Sequence, residues 1–216
     1  MTKLITAVEA RVLGALIEKE ITTPEYYPLS LHALVNACNQ KNNREPVMQL
    51  DEDTIRQALH GLEDSELAGP ARALESRVTK YEHRLQEIFN FTRGEIAVLC
   101  ILLLRGPQTL GELRGRTDRM YRFEDLSDVQ AALDRLMRRD PPLARTLPRQ
   151  PGTKEARSIH LLCGDTESFE PAPPPLLEMP LGSSDRIPRL EAELAAVQED
   201  VAELKRQVEK LLKLVE

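Results

Sequence analysis

The sequence predicts an α+β, predominantly helical fold of two tandem winged-helix domains and a C-terminal coiled-coil helix, and three observations carry that reading. A pattern of three amphipathic helices followed by a β-hairpin occurs twice, starting at Thr6 and again at Thr92. A proline-rich stretch then interrupts the chain, and an unbroken heptad pattern fills its end. The implied boundaries are residues 1–86 and 87–165 for the two domains, 166–188 for a linker and 189–216 for the coil.

The first helix of each half opens on a capping box, in which a Thr hydroxyl accepts an orphan N–H and the Glu three residues on reaches back. These boxes are Thr6 with Glu9 and Thr92 with Glu95. Behind them run the stripes Val12, Leu13, Leu16, Ile17 and Val98, Leu99, Leu102, Leu103, with ends expected near Glu20 and Gly106. Ser30 caps the second helix of the first half; Thr109 with Glu112 caps its counterpart. Third helices follow through Ile55, Leu59, Leu62 and through Val129, Leu133, Leu136. The pattern then becomes extended. Residues 67–85 hold Gly69-Pro70 and the run Arg77-Val78-Thr79-Lys80-Tyr81; residues 143–162 hold Pro151-Gly152 and Arg157-Ser158-Ile159-His160-Leu161. Each reads as a two-stranded hairpin.

Six prolines fall between 166 and 188, including Pro173-Pro174-Pro175, so this stretch reads as a partly extended linker. Beyond it Leu194, Val201, Val208 and Val215 occupy heptad position a, and Leu190, Val197, Leu204 and Leu211 position d. Mostly β-branched a and mostly Leu d favour a parallel dimer. The alternative is an amphipathic helix packing on its own chain, which the extra Leu212 and Leu214 would suit.

No stretch has the roughly 20 apolar residues of a membrane span, and the start lacks a signal-peptide pattern. A cytoplasmic location without membrane contact is expected. Cys38, Cys100 and Cys163 are far apart and read as plain thiols. Neither they nor the isolated histidines have metal-ligand spacing. The chain carries no phosphate loop or nucleophile motif. We expect no enzyme activity and no cofactor.

Net charge is −6, but it is uneven: residues 87–165 carry 13 basic and 11 acidic side chains, the one segment with a positive surplus. Winged helices commonly set the start of the third helix in the major groove. Here those starts are Asp51-Glu52-Asp53 and Glu124–Asp128, whose carboxylates would face phosphates. The cations lie elsewhere. Arg72, Arg77 and Lys80 fall on the first hairpin, and Arg145, Arg149, Lys154 and Arg157 on the second. Arg114 and Arg116 begin a basic stretch that continues through Arg119 and Arg122. These are the candidate nucleic-acid contacts, unless they are solvated charges that discourage edge pairing. The polar run Asn39–Arg44 has two readings: amides facing adenine edges, or loop caps with Arg44 paired to an acid.

The segment Asn36-Ala37-Cys38-Asn39-Gln40-Lys41-Asn42-Asn43-Arg44-Glu45-Pro46-Val47-Met48 resembles the signature of the YceH family. Arg77–Glu82, Leu102–Thr109 and Gly111–Arg114 are similar to it as well. The similarity spans about residues 4–162. It implies a bacterial protein with tandem winged-helix domains and brings no catalytic or ligand residues, since the family is catalogued as a domain of unknown function. Ser158 stands where an aromatic is expected, which would loosen the second hairpin.

Two functions follow. One is a dimeric, DNA-associated protein whose hairpins and second domain touch the phosphate backbone. The alternative is a protein-interaction adaptor that uses the same faces and the coil without nucleic acid.

Overall fold

The computed structural model describes residues 4–71, 78–149 and 155–164. The linker at 166–188, every heptad position from Leu190 to Val215, and the candidate residues Arg72, Arg77 and Lys154 lie outside the described residues.

The fold is α+β, about half helical, with small antiparallel sheets. The first half runs α1 (Ala7–Thr22), a 3-10 turn (Pro24–Tyr26), β1 (Leu29–Ser30), α2 (Leu31–Cys38), α3 (Glu52–Asp64), β2 (Ala68–Pro70) and β3 (Lys80–His83). A short α4 (Leu85–Phe89) leads into the second half: α5 (Arg93–Arg105), α6 (Leu110–Thr117), α7 (Leu126–Met137), β4 (Ala144–Thr146) and β5 (Ser158–His160). All three capping boxes form. The Glu9, Glu95 and Glu112 carboxylates each accept the N–H of the Thr three residues earlier, at 2.6, 2.7 and 2.9 Å. Gly106 takes φ 68° just beyond α5, where a side chain would be strained, and ends the helix.

Both hairpins are antiparallel. Ala68 faces His83 and Pro70 faces Tyr81 in the first; Ala144 faces His160 and Thr146 faces Ser158 in the second. Each gains a partner not foreseen from the sequence: a third strand in the first, a single-residue bridge in the second. β1 pairs with β3, giving the order β1-β3-β2. At the matching place in the second half, Gln108 exchanges both backbone hydrogen bonds with Ser158, at 3.0 and 2.8 Å. Ser158 does not loosen its hairpin: it is buried, and its hydroxyl lies 3.1 Å from that of Thr146.

The stripes read from the sequence are the core. Ile55, Leu59 and Leu62 on α3 and Val129, Leu133 and Leu136 on α7 are all buried. Helices α1 and α5 are buried nearly all round, from Ala10 to Ile17 and from Gly94 to Leu104, and pack on each other so that both halves share one core. Their close approach depends on Gly14. A Cβ there would sit 2.8 Å from Leu104 Cδ2 and 3.1 Å from Leu103 Cβ, and the Cys100 thiol donates to the Gly14 carbonyl at 3.4 Å. Gly14→Val is therefore expected to overpack this crossing and cost about 1–3 kcal/mol. Urea unfolding at an unchanged midpoint would contradict it. The ends of the body also meet, since the Ile5 N–H donates to the Leu162 carbonyl at 2.9 Å.

The run Asn39–Arg44 is a clasp around the end of α2. A helix end leaves carbonyls without partners, and here two buried arginines supply donors. Arg44, 4% exposed, donates to the carbonyls of Ala37 and Asn43, to Gln40 Oε1, and to Glu18 on α1 at 2.6 and 3.2 Å. Arg11, 1% exposed, donates to the carbonyls of Cys38 and Pro46. The Asn39 amide closes the loop by pairing both ways with the Leu50 backbone, at 2.7 and 2.8 Å. The loop then reaches the second half: Glu45 N–H donates to the Leu104 carbonyl and Arg105 donates to Asn43 Oδ1. Burial pushes the Cys38 thiol up to about 12, so it stays neutral beside these guanidiniums. With both polar ends of the Asn39 side chain bonded to Leu50, the base-reading option loses its best amide.

Candidate nucleic-acid interface

Six of the nine candidate cations fall within the described residues. Lys80 opens β3 opposite Ser30 and is half-buried. Arg145 is half-buried on β4 opposite Ile159, and Arg149 is exposed beyond that strand. Arg114 is exposed on α6, and its guanidinium donates to the Glu124 carbonyl at 2.6 Å.

The structure brings the remaining two together. Arg157, just before β5, donates to Glu112 at 2.8 and 3.3 Å and to the Pro107 carbonyl at 2.8 Å. Arg116 approaches the same carboxylate from the next turn of α6 at 3.6 Å and donates to the Gln108 side chain. Burial raises the Glu112 carboxyl, but the Thr109 N–H and the two guanidiniums outweigh it and hold it below the usual carboxylate range. One glutamate thus caps α6 and ties the second hairpin to it. Arg116 and Arg157 serve this latch, so they offer less charge to a polyanion than the sequence suggested. Glu112→Gln is expected to release both arginines and to strengthen binding to any polyanion several-fold at low salt, read as a lower Kd for heparin. Unchanged affinity would show that the latch does not compete.

The starts of the third helices are acidic, and the acids are used. Asp51 caps α3, accepting from Thr54 N–H at 2.8 Å, and Asp125 caps α7, accepting from Ser127 Oγ at 2.6 Å and Asp128 N–H at 3.0 Å. Hydrogen bonds from Thr54 and Ser127 hold the two carboxyls below their ordinary range, so they remain charged. Glu52, Asp53 and Asp128 beside them are exposed.

The outer face of α6 is different. Leu113 and Thr117 turn inward, while Gly111, Arg114 and Gly115 are exposed. They line a groove of about 430 Å³ with Asp118, Arg122 and Phe123. A second groove, about 680 Å³, shares Arg122 and Phe123 and runs past Tyr121 to the start of α5 and the outer face of α7. Gly94 lets the floor close, since a Cβ there would lie 3.1 Å from the Phe123 ring. The two glycines, four apart in a helical segment, were the signal that the sequence reading passed over.

Among the described residues no group of three His, Cys, Asp or Glu is placed to hold a metal ion, and all three cysteines are free. No helix of the described residues is long and apolar enough to cross a membrane.

The chain is thus a helical α+β protein whose halves repeat one order of elements and whose second half carries an arginine-lined face. It belongs to the family described as "Protein of unknown function, DUF480", which matches residues 5–153. It is 57% identical to a UPF0502 protein of Koribacter versatilis over 90% of both chains. Similarity to a UPF0502 protein of Pelobacter propionicus is 53% over 97% of both. A UPF0502 protein of Vibrio atlanticus matches at 43% over 98% of this chain and all of the relative. The membership agrees with the YceH resemblance carried by residues 36–48.

Proposed function

We propose that the protein is a non-enzymatic, DNA-associated protein of two tandem winged-helix units, dimeric through its C-terminal heptads. The winged-helix reading is supported by the order helix, strand or bridge, helix, helix, hairpin in each half. The DNA reading is carried by one observation: Arg114, Arg119 and Arg122 stand exposed along α6 and the turn after it, in the half with the positive surplus. Backbone contact of this kind needs no base-reading helix.

The test is fluorescence anisotropy of the full chain with a random duplex, titrated from roughly 50 to 200 mM salt. Affinity that falls steeply with salt supports phosphate contact, because bound cations displace condensed counterions. Absence of binding at the low-salt end defeats the reading. An obvious variant, Arg157→Glu, is a poor test, since it would set a second carboxylate against Glu112.

The adaptor reading keeps one observation of its own. The exposed acids at the starts of α3 and α7 make those helix ends poor partners for a duplex and good ones for a basic protein surface.

A further inference from the structure

This inference rests on the DNA reading above and narrows it to one surface. The groove on the outer face of α6 combines three features. Its cations are loosely matched: the Arg122 side chain is 88% exposed and meets Asp118 at only 3.9 Å, and Arg114 donates to the Glu124 carbonyl with the exposed Asp125 carboxylate nearby. Arg119, in the same turn, is exposed as well. Its floor is a buried aromatic, Phe123, shared with the larger groove beside it.

The third feature is the absence of side chains from the helix wall. A Cβ added at Gly111 or at Gly115 would meet nothing within 4 Å. Neither glycine makes room for a neighbour among the described residues, unlike Gly14 and Gly94. Glycine inside a helix is nonetheless less stable than alanine there. A bare helix wall between guanidiniums lets an extended, anionic chain lie against the helix backbone. The larger groove beside it is mixed in charge, with Glu124 and Asp128 set among Arg93, Arg122 and Arg135.

We propose that this groove takes the sugar–phosphate backbone of a nucleic acid, with phosphates on Arg114 and Arg122 and the strand against Gly111 and Gly115. The contact reads shape and charge, so it is tolerant of sequence.

The experiment uses the full chain and a fluorescent random duplex of about 20 base pairs at low salt. Gly115→Ala is expected to raise Tm by a few degrees, because its methyl enters open space. Gly111→Leu with Gly115→Leu, which fills the groove while facing solvent, is expected to weaken binding about tenfold without lowering Tm. Arg114→Glu with Arg122→Glu is expected to weaken it at least as much and to reduce the salt slope by about two. If the wild-type chain binds no duplex, the DNA reading falls and this inference with it. If the wild type binds and the glycine and arginine variants bind equally well, the groove is not the site while the DNA reading stands. If polyglutamate displaces the duplex at equal charge concentration, the occupant is an acidic polypeptide and the nucleic-acid assignment is overturned.

Discussion

Arg44→Met is expected to lower stability by about 3–5 kcal/mol, the range for breaking a buried ion pair from one side. The guanidinium is the common donor to Ala37, Asn43, Gln40 and Glu18. Its loss takes from the Glu18 carboxylate, whose side chain is only 12% exposed, its closest cation, leaving Lys19 at 3.7 Å, and leaves the end of α2 short of donors. For a body of this size each kcal/mol shifts Tm by roughly 2–4 °C, so a fall on the order of 10 °C is expected. Glu18→Gln in the Arg44→Met background should cost far less than in the wild type, because the carboxylate no longer has the Arg44 guanidinium to lose. Additive losses, or a single-variant cost below about 1 kcal/mol, would show that Arg44 is not the centre of the clasp.

Acidification is the second large effect. His160 lies on β5, and its Nδ1 is shut off from solvent with no hydrogen-bond partner among the described residues. Burial lowers its pKa from the ordinary 6.5 to about 4, so the folded chain keeps it neutral. Above pH 6.5 both folded and unfolded states are neutral there, and the stability is fully present. Below 6.5 the unfolded chain takes up a proton that the folded chain refuses, and stability falls until the folded pKa is reached. The loss amounts to about 2 kcal/mol by pH 5 and about 3 kcal/mol at pH 4. Asp51, Asp125 and Glu112, whose pKa values are depressed, lose their contributions lower, as pH falls below the ordinary carboxylate range. Urea unfolding at pH 7.5 and pH 5 therefore covers this window while staying above that of the three carboxyls. His160→Gln should flatten the difference between the two; an undiminished difference would place its origin elsewhere.

Much of the fold was legible because its determinants are local. A capping box spans four residues and a helical stripe repeats within eight, so Thr6, Thr92, Thr109 and the core leucines could be read directly. The strand partners could not. β1 has two residues and the Gln108 bridge one, too short for alternation to register, and both are made by a hairpin far along the chain. The five residues of α4 were missed for the same reason of length. An acid partner for Arg44 was expected, but that it is Glu18 depends on α1 and α2 packing together. Of the candidate cations, Lys80 and Arg145 lie on hairpin strands and Arg114 and Arg116 on α6, yet sequence could not tell engaged from available ones. Arg157 and Glu112 are 45 residues apart and meet only because the second hairpin folds back on α6. Arg116 then completes the latch from the following helical turn.

The most direct test of where a nucleic acid would bind is hydrogen–deuterium exchange of the full chain with and without a saturating random duplex. The account predicts slowed exchange across residues 110–124, with the starts of α3 and α7 unchanged. Protection confined to residues 51–56, or none at all at saturation, would contradict it.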